Sequence, residues 1–346
     1  MSTEDGTIGA GGTAAPKAGD MATAADGVAT TGADGVATAG AGDVTATGAN
    51  GVTATGADGV TAARADGVAA VRCTGLTYSF GRTKAVDGVD LRVEPGEVFG
   101  LLGPNGAGKT TTLRSITTLL PVPPGVIEIF GRDAARRKMM VRRLLGYVPQ
   151  QLSADGGLTG RENVDLFARV FDVSHRERRE RVGQALEAVG LADAADRLAA
   201  TYSGGMVRLL ELAQALVSAP RLLVLDEPTI GLDPIARGNV WDRITEIRTV
   251  TGMTVLVTTH SMEEADQRCD RLALLHRGKV RALGTPGELK SGLMAHRRET
   301  GDGETALPSL EDVFRHVAGG ELAGSEDERG EFGDVRRTRR TASRVG

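Results

Sequence analysis

The sequence predicts an α/β fold in which short buried strands alternate with helices. Three apolar runs bounded by turn residues are typical of strands that are covered on both faces: EVFGLLG at 97–103, RLLVLDEP at 221–228 and MTVLVTT at 253–259. A helical spacing of apolar residues follows the first run and extends to Leu120. Buried strands followed by amphipathic helices indicate a layered α/β domain.

The 346 residues divide into a repetitive first part and a section with the composition of a globular domain. From Ala25 an eight-residue pattern recurs. Each repeat consists mainly of glycine, alanine, threonine and aspartate and contains little more than one valine. Because so little apolar surface cannot offset the entropy of ordering the chain, we expect residues 1–68 to be disordered Gly/Ala/Thr-rich octapeptide repeats. A stacked β-solenoid is the alternative, but the octad lacks the inward-facing apolar residues that a solenoid needs.

Composition also narrows the function. A formal net charge of −4 gives no support for nucleic-acid binding. No apolar run approaches the ~20 residues of a membrane-spanning helix, and the N-terminus has no signal segment, so a cytoplasmic protein is expected. The basic run RRTRR at 336–340 predicts a solvated end, with weak attraction to anionic lipid as the alternative. Cys73 and Cys269 are too few for a zinc site or a disulfide framework, which predicts buried reduced thiols.

A glycine-rich loop joins the first predicted strand to the first predicted helix. Its sequence, GPNGAGKTT at 103–111, matches the Walker A phosphate loop in the required strand, loop and helix context. The glycines let successive backbone N–H groups face the phosphates of ATP, while a lysine adds positive charge and a threonine hydroxyl can bind Mg²⁺. The expected ATP-binding residues of this loop are Gly103, Pro104, Asn105, Gly106, Ala107, Gly108, Lys109, Thr110 and Thr111.

Two adjacent carboxylates end the strand predicted at 221–228. Asp226 fits a Mg²⁺ ligand, and Glu227 stands where a general base for water is needed. Since neighbouring side chains of a strand alternate, we expect the two carboxylates on opposite faces of the sheet edge. The plainer interpretation is that this acidic pair only begins a turn before Pro228, but the phosphate loop favours the catalytic one.

The stretch TYSGGMVRLL at 201–210 resembles half of a phosphate site. A serine and two glycines precede apolar residues with helical spacing, yet no lysine on this turn could meet a phosphate. Backbone donors and a hydroxyl at a helix N-terminus can bind an anion without a lysine. The turn therefore predicts an incomplete anion site.

These motifs resemble the nucleotide-binding domain of ATP-binding cassette (ABC) transporters over about residues 69–290. They occur in the order of that family: the phosphate loop, YVPQQ at 147–151, YSGGM at 202–206, LLVLDEP at 222–228, GLDP at 231–234 and TTH at 258–260. The resemblance implies an α/β P-loop NTPase of ABC type that binds ATP and Mg²⁺. It also implies an antiparallel β subdomain near residues 69–98 and 125–131 and an α-helical signature subdomain over about 152–219.

The resemblance sets domain limits and explains the incomplete turn. Residues 69–295 become the ABC nucleotide-binding domain, and residues 296–346 a short motif followed by a disordered charged tail. In this family the signature turn, here Ser203, Gly204 and Gly205, faces the γ-phosphate held by a partner protomer. The site is then completed only in an ATP-dependent homodimer, and Asp233 matches a residue that crosses the dimer interface.

Other positions carry over one at a time. Gln150 matches the glutamine that contacts Mg²⁺ and the attacking water and that senses the transmembrane partner. His260 matches the histidine that contacts the γ-phosphate. Phe80 matches the aromatic that stacks on adenine, with Tyr78 on the same strand face as its competitor. The implied catalytic residues are Glu227, His260 and Gln150, and the implied metal ligands are Thr110, Gln150 and Asp226.

Three positions depart from the broad family: Met206, Leu209 and Gln214. The YSGGM form, with LTGRENV at 158–164 and PSLEDVFRHV at 308–317, is most similar to the daunorubicin-resistance branch of drug-export ATPases. This similarity implies an ATPase that drives a separate membrane permease exporting a hydrophobic small molecule, such as an antibiotic. The chain would lie on the inner face of the membrane and contact it through the permease.

Two alternatives remain open at this point. A soluble ABC ATPase acting on DNA or ribosomes is one, although the sequence has no coiled-coil insertion, zinc module or second cassette. A catalytically weakened regulatory subunit is the other, because Leu209 replaces an arginine that is usual in the signature helix. The intact phosphate loop and acidic pair favour an active ATPase. In that case the permease would dock around Gln150 and Glu162.

Overall fold

The computed structural model describes residues 67–300 and 306–319. The octapeptide prediction for residues 1–68 lies outside the described residues, apart from 67 and 68, and so does the predicted tail beyond residue 319. Within the described ranges, two β-sheets are covered by helices. Each helix of these ranges lacks the length or the apolar character that crossing a bilayer requires.

The described ranges contain ten strands, nine α-helices and two short 3₁₀ helices. The strands are β1 (Val71–Phe80), β2 (Thr83–Val93), β3 (Val98–Leu102), β4 (Ile127–Ile129), β5 (Arg132–Asp133), β6 (Leu145–Val148), β7 (Leu222–Asp226), β8 (Thr254–Thr259), β9 (Arg271–His276) and β10 (Lys279–Gly284). The α-helices are α1 (Lys109–Ile116), α2 (Lys138–Arg142), α3 (Gly160–Val170), α4 (His175–Ala188), α5 (Gly204–Leu216), α6 (Pro234–Thr251), α7 (Met262–Arg268), α8 (Pro286–Glu299) and α9 (Leu310–Gly319). The 3₁₀ helices are Ala192–Ala194 and Ala199–Thr201.

The larger sheet has six strands in the order β10-β9-β3-β8-β7-β6. Its strands pair in parallel except for the antiparallel pair of β9 and β10. Successive side chains enter two different cores: Val98 and Leu102 pack beneath helices α3 to α7, whereas Phe99 and Leu101 pack against α1 and the smaller sheet. Burial of both faces is the reason that these strands have continuous apolar sequences, and the three predicted strands are confirmed.

The smaller sheet has four strands in the order β2-β1-β4-β5, and all of its pairs are antiparallel. It covers one face of the larger sheet together with α1. These strands confirm the antiparallel subdomain predicted near residues 69–98 and 125–131. The helices α3 to α5 lie within the predicted α-helical subdomain at 152–219.

The first helix is shorter than its apolar spacing suggests. Helical spacing extends to Leu120, but α1 ends at Ile116, so the prediction was wrong in its last turn. Thr118 adopts a left-handed φ of 61°, and Pro121 disfavours helical geometry in the residue before it. Leu119 is consequently exposed.

The C-terminal helices pack on the same domain. The limit predicted at residue 295 falls inside α8, and α9 places Leu310 and Val313 in the core beneath the helices. Cys73 and Cys269 are both buried free thiols, as predicted. Burial raises the pKa of each thiol to about 12.

Candidate functional site

The loop after β3 has a backbone that only glycine fits at two positions. Gly103 has a φ of 154° and Gly108 a φ of 103°. A Cβ at Gly103 would overlap the carbonyl oxygen of Leu275, and a Cβ at Gly108 would lie 2.5 Å from the carbonyl oxygen of Ala85. The local fold therefore requires these glycines, because both positions combine positive φ with a close backbone neighbour.

Other residues of the loop differ in burial. Pro104, Asn105 and Gly106 are exposed, and Ala107 is buried in the core against the smaller sheet. Thr111 is half-buried in the first turn of α1. The loop thus presents an exposed rim on a buried base.

Four adjacent parallel strands bring the other predicted residues to this loop. The strands β3, β8, β7 and β6 are neighbours in the sheet, so their carboxyl ends lie at one edge. Their ends carry the phosphate loop, His260, the acidic pair and Gln150, respectively. A crevice outside the carboxyl ends of parallel strands is the usual binding position in open α/β sheets.

Lys109 lies within the loop that precedes it. Its Nζ donates hydrogen bonds to the carbonyl oxygens of Gly103 at 2.8 Å and Pro104 at 3.2 Å. The same atom is 3.2 Å from Oε1 of Glu227, and both side chains are buried. The loop therefore holds one buried positive charge beside one buried carboxylate.

Asp226 contacts Thr110, the residue that follows Lys109 in α1. Thr110 Oγ1 donates to Asp226 Oδ1 at 3.1 Å, and Thr258 Oγ1 donates to the same oxygen at 2.7 Å. Burial raises the pKa of the Asp226 carboxyl, while the bonds from Thr258 and Thr110 oppose that rise. A hydroxyl beside a buried carboxylate fits a hard cation such as Mg²⁺, whose charge would offset the desolvation.

Glu227 departs from strand geometry. It has a positive φ of 50°, which is uncommon for a residue other than glycine. Its backbone N–H donates to the carbonyl oxygen of Thr258 at 3.1 Å and to Thr258 Oγ1 at 2.9 Å, which holds the turn. Both carboxylates consequently meet α1, Asp226 at Thr110 and Glu227 at Lys109, so the prediction of opposite faces was wrong.

Two further polar side chains contact Glu227. Gln150 donates from Nε2 to Glu227 Oε2 at 3.3 Å. His260 Nδ1 is 3.3 Å from the same oxygen, and the His260 side chain is 54% exposed. The three residues that the resemblance marks as catalytic thus lie together at the mouth of the phosphate loop.

The signature turn and Asp233 lie outside this cluster. Ser203 accepts the backbone N–H of Met206 at 3.3 Å and so caps α5, while Asp233 caps α6 by accepting those of Ile235 and Ala236. Gly204 and Gly205 form the first turn of α5. Among the residues that the structure describes, no hydrogen bond joins Ser203, Gly204, Gly205 or Asp233 to the phosphate loop.

The two candidate aromatic rings lie at the end of β1. Their centroids are 5.0 Å apart in an edge-to-face arrangement. Phe80 is 51% exposed, whereas Tyr78 is half-buried against the core of the smaller sheet. Phe80 therefore has the freer ring face.

Sequence reasoning missed a buried charged pair on α5. Arg208 Nη1 donates to Glu211 Oε2 at 2.8 Å, and the side chains are only 4% and 1% exposed. Leu209, between them, packs on the apolar core, so the polar contacts of α5 come from Arg208 rather than from position 209. Two opposite charges three residues apart in an otherwise apolar helix were the available signal.

Sequence comparisons match this chain to known proteins. Residues 86–230 match the family model described as ABC transporter. The daunorubicin/doxorubicin resistance ATP-binding protein of Streptomyces peucetius is 48% identical over 220 residues, covering 64% of this chain and 66% of that protein, slightly under two thirds of its length. The daunorubicin resistance ATP-binding protein of Streptomyces coeruleorubidus is 42% identical over 250 residues, covering 72% of this chain and 77% of that protein.

Solved structures share the fold. The ATP-binding subunit of an ABC transporter superposes with a TM-score of 0.60 at 29% identity, covering 72% of this chain and 99% of that one. A dimeric ATP-binding cassette in a post-hydrolysis state, bound to ADP and phosphate, superposes with a TM-score of 0.55 at 27% identity, covering 62% of this chain and 98% of that one. The phosphate loop, the acidic pair and these relatives identify the chain as a member of the ABC transporter family and as an ATP-hydrolysing ATPase.

Proposed function

We propose that this chain is the ATPase subunit of an exporter and drives a separate membrane permease that moves a hydrophobic small molecule out of the cell. One observation carries the catalytic part. Lys109 and Thr110, consecutive in α1, each contact one of the consecutive carboxylates Glu227 and Asp226. These two contacts support a single small site for phosphate binding, metal binding and proton acceptance.

The chain's own groups have distinct tasks in hydrolysis. Backbone N–H groups of the loop and Lys109 bind the phosphates of ATP. When phosphate oxygens take the lysine as their partner, Glu227 is released from the ion pair and can accept a proton from the attacking water. Gln150 and His260, both already at the Glu227 carboxylate, orient that water and the γ-phosphate.

Thr110 and Asp226 are the proposed protein ligands of Mg²⁺. Their oxygens lie 3.1 Å apart, and the carboxylate is buried. A Mg²⁺ ion held by these residues would neutralise charge on the phosphates and so favour transfer of the γ-phosphoryl group. Gln150 is the third proposed ligand.

A second copy of this chain is the proposed source of the remaining phosphate contacts. Ser203 and Gly204 are exposed at the N-terminus of α5, where the helix dipole favours an anion. Gly205 lies against Ala236 of α6, close to exposed Asp233, so both helix N-termini are available to one partner. The solved relative with bound ADP and phosphate is itself dimeric.

Mixed dimers test this arrangement. Ser203→Arg and Lys109→Ala should each inactivate a homodimer, because every site then contains one defect. In a mixed dimer one site contains both defects and the other contains none. Phosphate release from isolated, differentially tagged heterodimers should recover up to about half of the wild-type activity, and less if the sites are coupled.

A matched variant controls for the lost helix cap. Ser174 caps α4 in the same way and is exposed, so Ser174→Arg removes an equivalent cap away from the phosphate loop. It should keep wild-type turnover. Verified heterodimers of the two inactive variants that remain inactive would exclude a site completed by the partner.

The permease is proposed to dock beside Gln150. Leu152, two residues after Gln150, exposes 60% of its surface, and Leu166 and Val170 on α3 expose 46% and 69%. An exposed apolar side chain beside a residue that contacts Glu227 suits a partner that responds to hydrolysis. The names of the two relatives lead us to propose an amphiphilic drug of the daunorubicin type as the substrate.

Transport in vesicles tests the export function. Inside-out vesicles would contain this chain together with a candidate permease, taken from the reading frames next to its own. We expect ATP-dependent uptake of fluorescent daunorubicin, and none with Lys109→Ala. An active ATPase that is neither stimulated by the membrane protein nor able to support uptake would contradict the proposal.

A further inference from the structure

We infer that Arg208 and Glu211 of α5 position Gln150 for hydrolysis by holding residues 149–153 against that helix. This inference rests on the proposed role of Gln150 at Glu227. We call the two residues the Arg208–Glu211 clasp. It would make them positioning residues, since neither contacts the proposed phosphate site.

The Arg208 side chain is buried and donates hydrogen bonds to the peptide groups on both sides of Gln150. Nη1 donates to the carbonyl oxygen of Pro149 at 2.9 Å, and Nη2 donates to that of Gln150 at 3.1 Å. A planar guanidinium that spans two consecutive carbonyls restricts both the position and the direction of the chain. From this restrained backbone the Gln150 side chain donates a hydrogen bond to Glu227.

Glu211 holds the other end of the segment. Its Oε1 accepts hydrogen bonds from the backbone N–H of Ser153 and from Ser153 Oγ. Burial raises the pKa of the Glu211 carboxyl, while the Ser153 backbone bond and the charge of Arg208 oppose that rise. The buried carboxylate therefore has one partner on the segment, Ser153, and a second, buried partner on its own helix, Arg208.

A second link follows immediately. Gln214 of α5 donates from Nε2 to Asn163 Oδ1 at 3.2 Å. Asn163 in turn accepts the backbone N–H of Asp155 and donates to its carbonyl oxygen, both at 2.9 Å. Within the described residues, the hydrogen bonds of 149–155 to other elements go to α3 and α5, apart from the Gln150 amide.

This arrangement joins two parts of the proposed reaction. Helix α5 begins directly after Ser203 and carries the clasp one to two turns further on. The clasp in turn holds Gln150, which contacts Glu227. A buried ion pair is weak evidence for stability, because apolar residues of similar volume often stabilise a fold equally well. The placement of its donors at Pro149 and Gln150 is better explained by positioning.

A double-mutant cycle tests the inference. Arg208→Met removes both carbonyl bonds while keeping much of the volume. We expect kcat to fall between about 10-fold and about 10²-fold, as for a small misplacement of a catalytic group, with KM for ATP unchanged. In a Gln150→Ala background the same change should have no further effect on kcat, because the clasp acts through Gln150.

Hydrogen exchange tests the clasp without reference to turnover. The Ser153 amide should exchange faster in Arg208→Met and in Glu211→Gln than in the wild-type protein. Arg243→Met is the matched control. Arg243 pairs with Glu246 at the same three-residue spacing on α6, but that pair is exposed, so neither kcat nor exchange at Ser153 should change.

The outcomes separate the two hypotheses. If Gln150→Ala is slow and its effect adds to that of Arg208→Met, the positioning inference fails while the role of Gln150 stands. If Gln150→Ala hydrolyses ATP at the wild-type rate, that role fails and the inference with it. Should Arg208→Met not fold, Arg208→Lys enters the same cycle, because it keeps the charge but cannot span both carbonyls.

Discussion

Nζ of Lys109 lies 3.2 Å from Oε1 of Glu227, and both side chains are buried. The lysine belongs to the phosphate loop, and the glutamate follows a strand far along the chain. Their contact joins the group that binds phosphate to the group proposed to accept the proton. Binding of ATP would therefore exchange one partner of the lysine for another and free the base.

Replacement of the base tests this relationship. Positioned proton acceptors contribute typically ~10² to 10⁴ in rate, so Glu227→Gln should hydrolyse ATP at least ~10²-fold more slowly. It should still bind ATP and accumulate as an ATP-bound dimer, seen by gel filtration with Mg-ATP. Glu246→Gln, on the surface of α6, is the control. Near-normal phosphate release by Glu227→Gln would place the base elsewhere.

The raised pKa of Asp226 predicts a stability difference that depends on pH. The folded protein binds this proton more tightly than the unfolded chain does, so stability falls as pH rises from 3.8 through the raised folded pKa. Asp226→Asn removes that slope and should raise the Tm of the nucleotide-free protein at pH 7 while abolishing Mg²⁺-dependent hydrolysis.

Melting curves of both proteins between pH 4 and pH 7 measure the effect. We expect the advantage of Asp226→Asn to grow with pH over that window. A variant that is less stable than the wild-type protein at pH 7 would show that hydrogen bonds lost by the carboxylate outweigh its desolvation.

The two aromatic rings near the end of β1 can be told apart by affinity and stability. Stacking on a base contributes about 1–3 kcal/mol, so Phe80→Ala should weaken ATP binding from about 5-fold to about 10²-fold and leave Tm nearly unchanged. Tyr78→Ala should lower Tm, because that ring packs on the core. Titration with a fluorescent nucleotide measures the affinity of both variants, and calorimetry measures their Tm. A higher Kd for ATP in Tyr78→Ala alone would assign the stacking to Tyr78.

Both cysteines should be unreactive in the folded protein. With a pKa of about 12, each thiol has very little thiolate at pH 8, and burial also blocks access. Modification by a thiol-directed reagent should be slower than that of an unperturbed thiol by on the order of 10³-fold. Unfolding in guanidinium should restore fast labelling of both. Rapid labelling of the native protein would show that one of these cores opens readily.

Local chemistry explains which parts of the fold were predictable. Strands such as β3 and β7 have continuous apolar sequences because they are buried on both faces. Gly103 and Gly108 are needed by the backbone itself, so the phosphate loop is visible in a few consecutive residues. Ser203 ahead of an apolar helix marks a helix N-terminus for the same local reason.

Long-range contacts explain what was missed. The left-handed turn at Glu227 depends on bonds to Thr258 of a neighbouring strand, which no pattern around residue 227 records. Similarly, Arg208 and Glu211 look like an ordinary helical pair until residues 149–153 are seen beside them. The position of α9 on the core likewise depends on distant residues.

The sequence by itself determined the strands of the central sheet, the phosphate loop and the acidic pair, because each depends on residue types within one short segment. Only the tertiary structure decided that Lys109, Gln150 and His260 meet at Glu227 and that α5 holds residues 149–153. These contacts join segments that are distant in the chain. They exist because the parallel order of β3, β8, β7 and β6 brings the carboxyl ends of the strands to one edge.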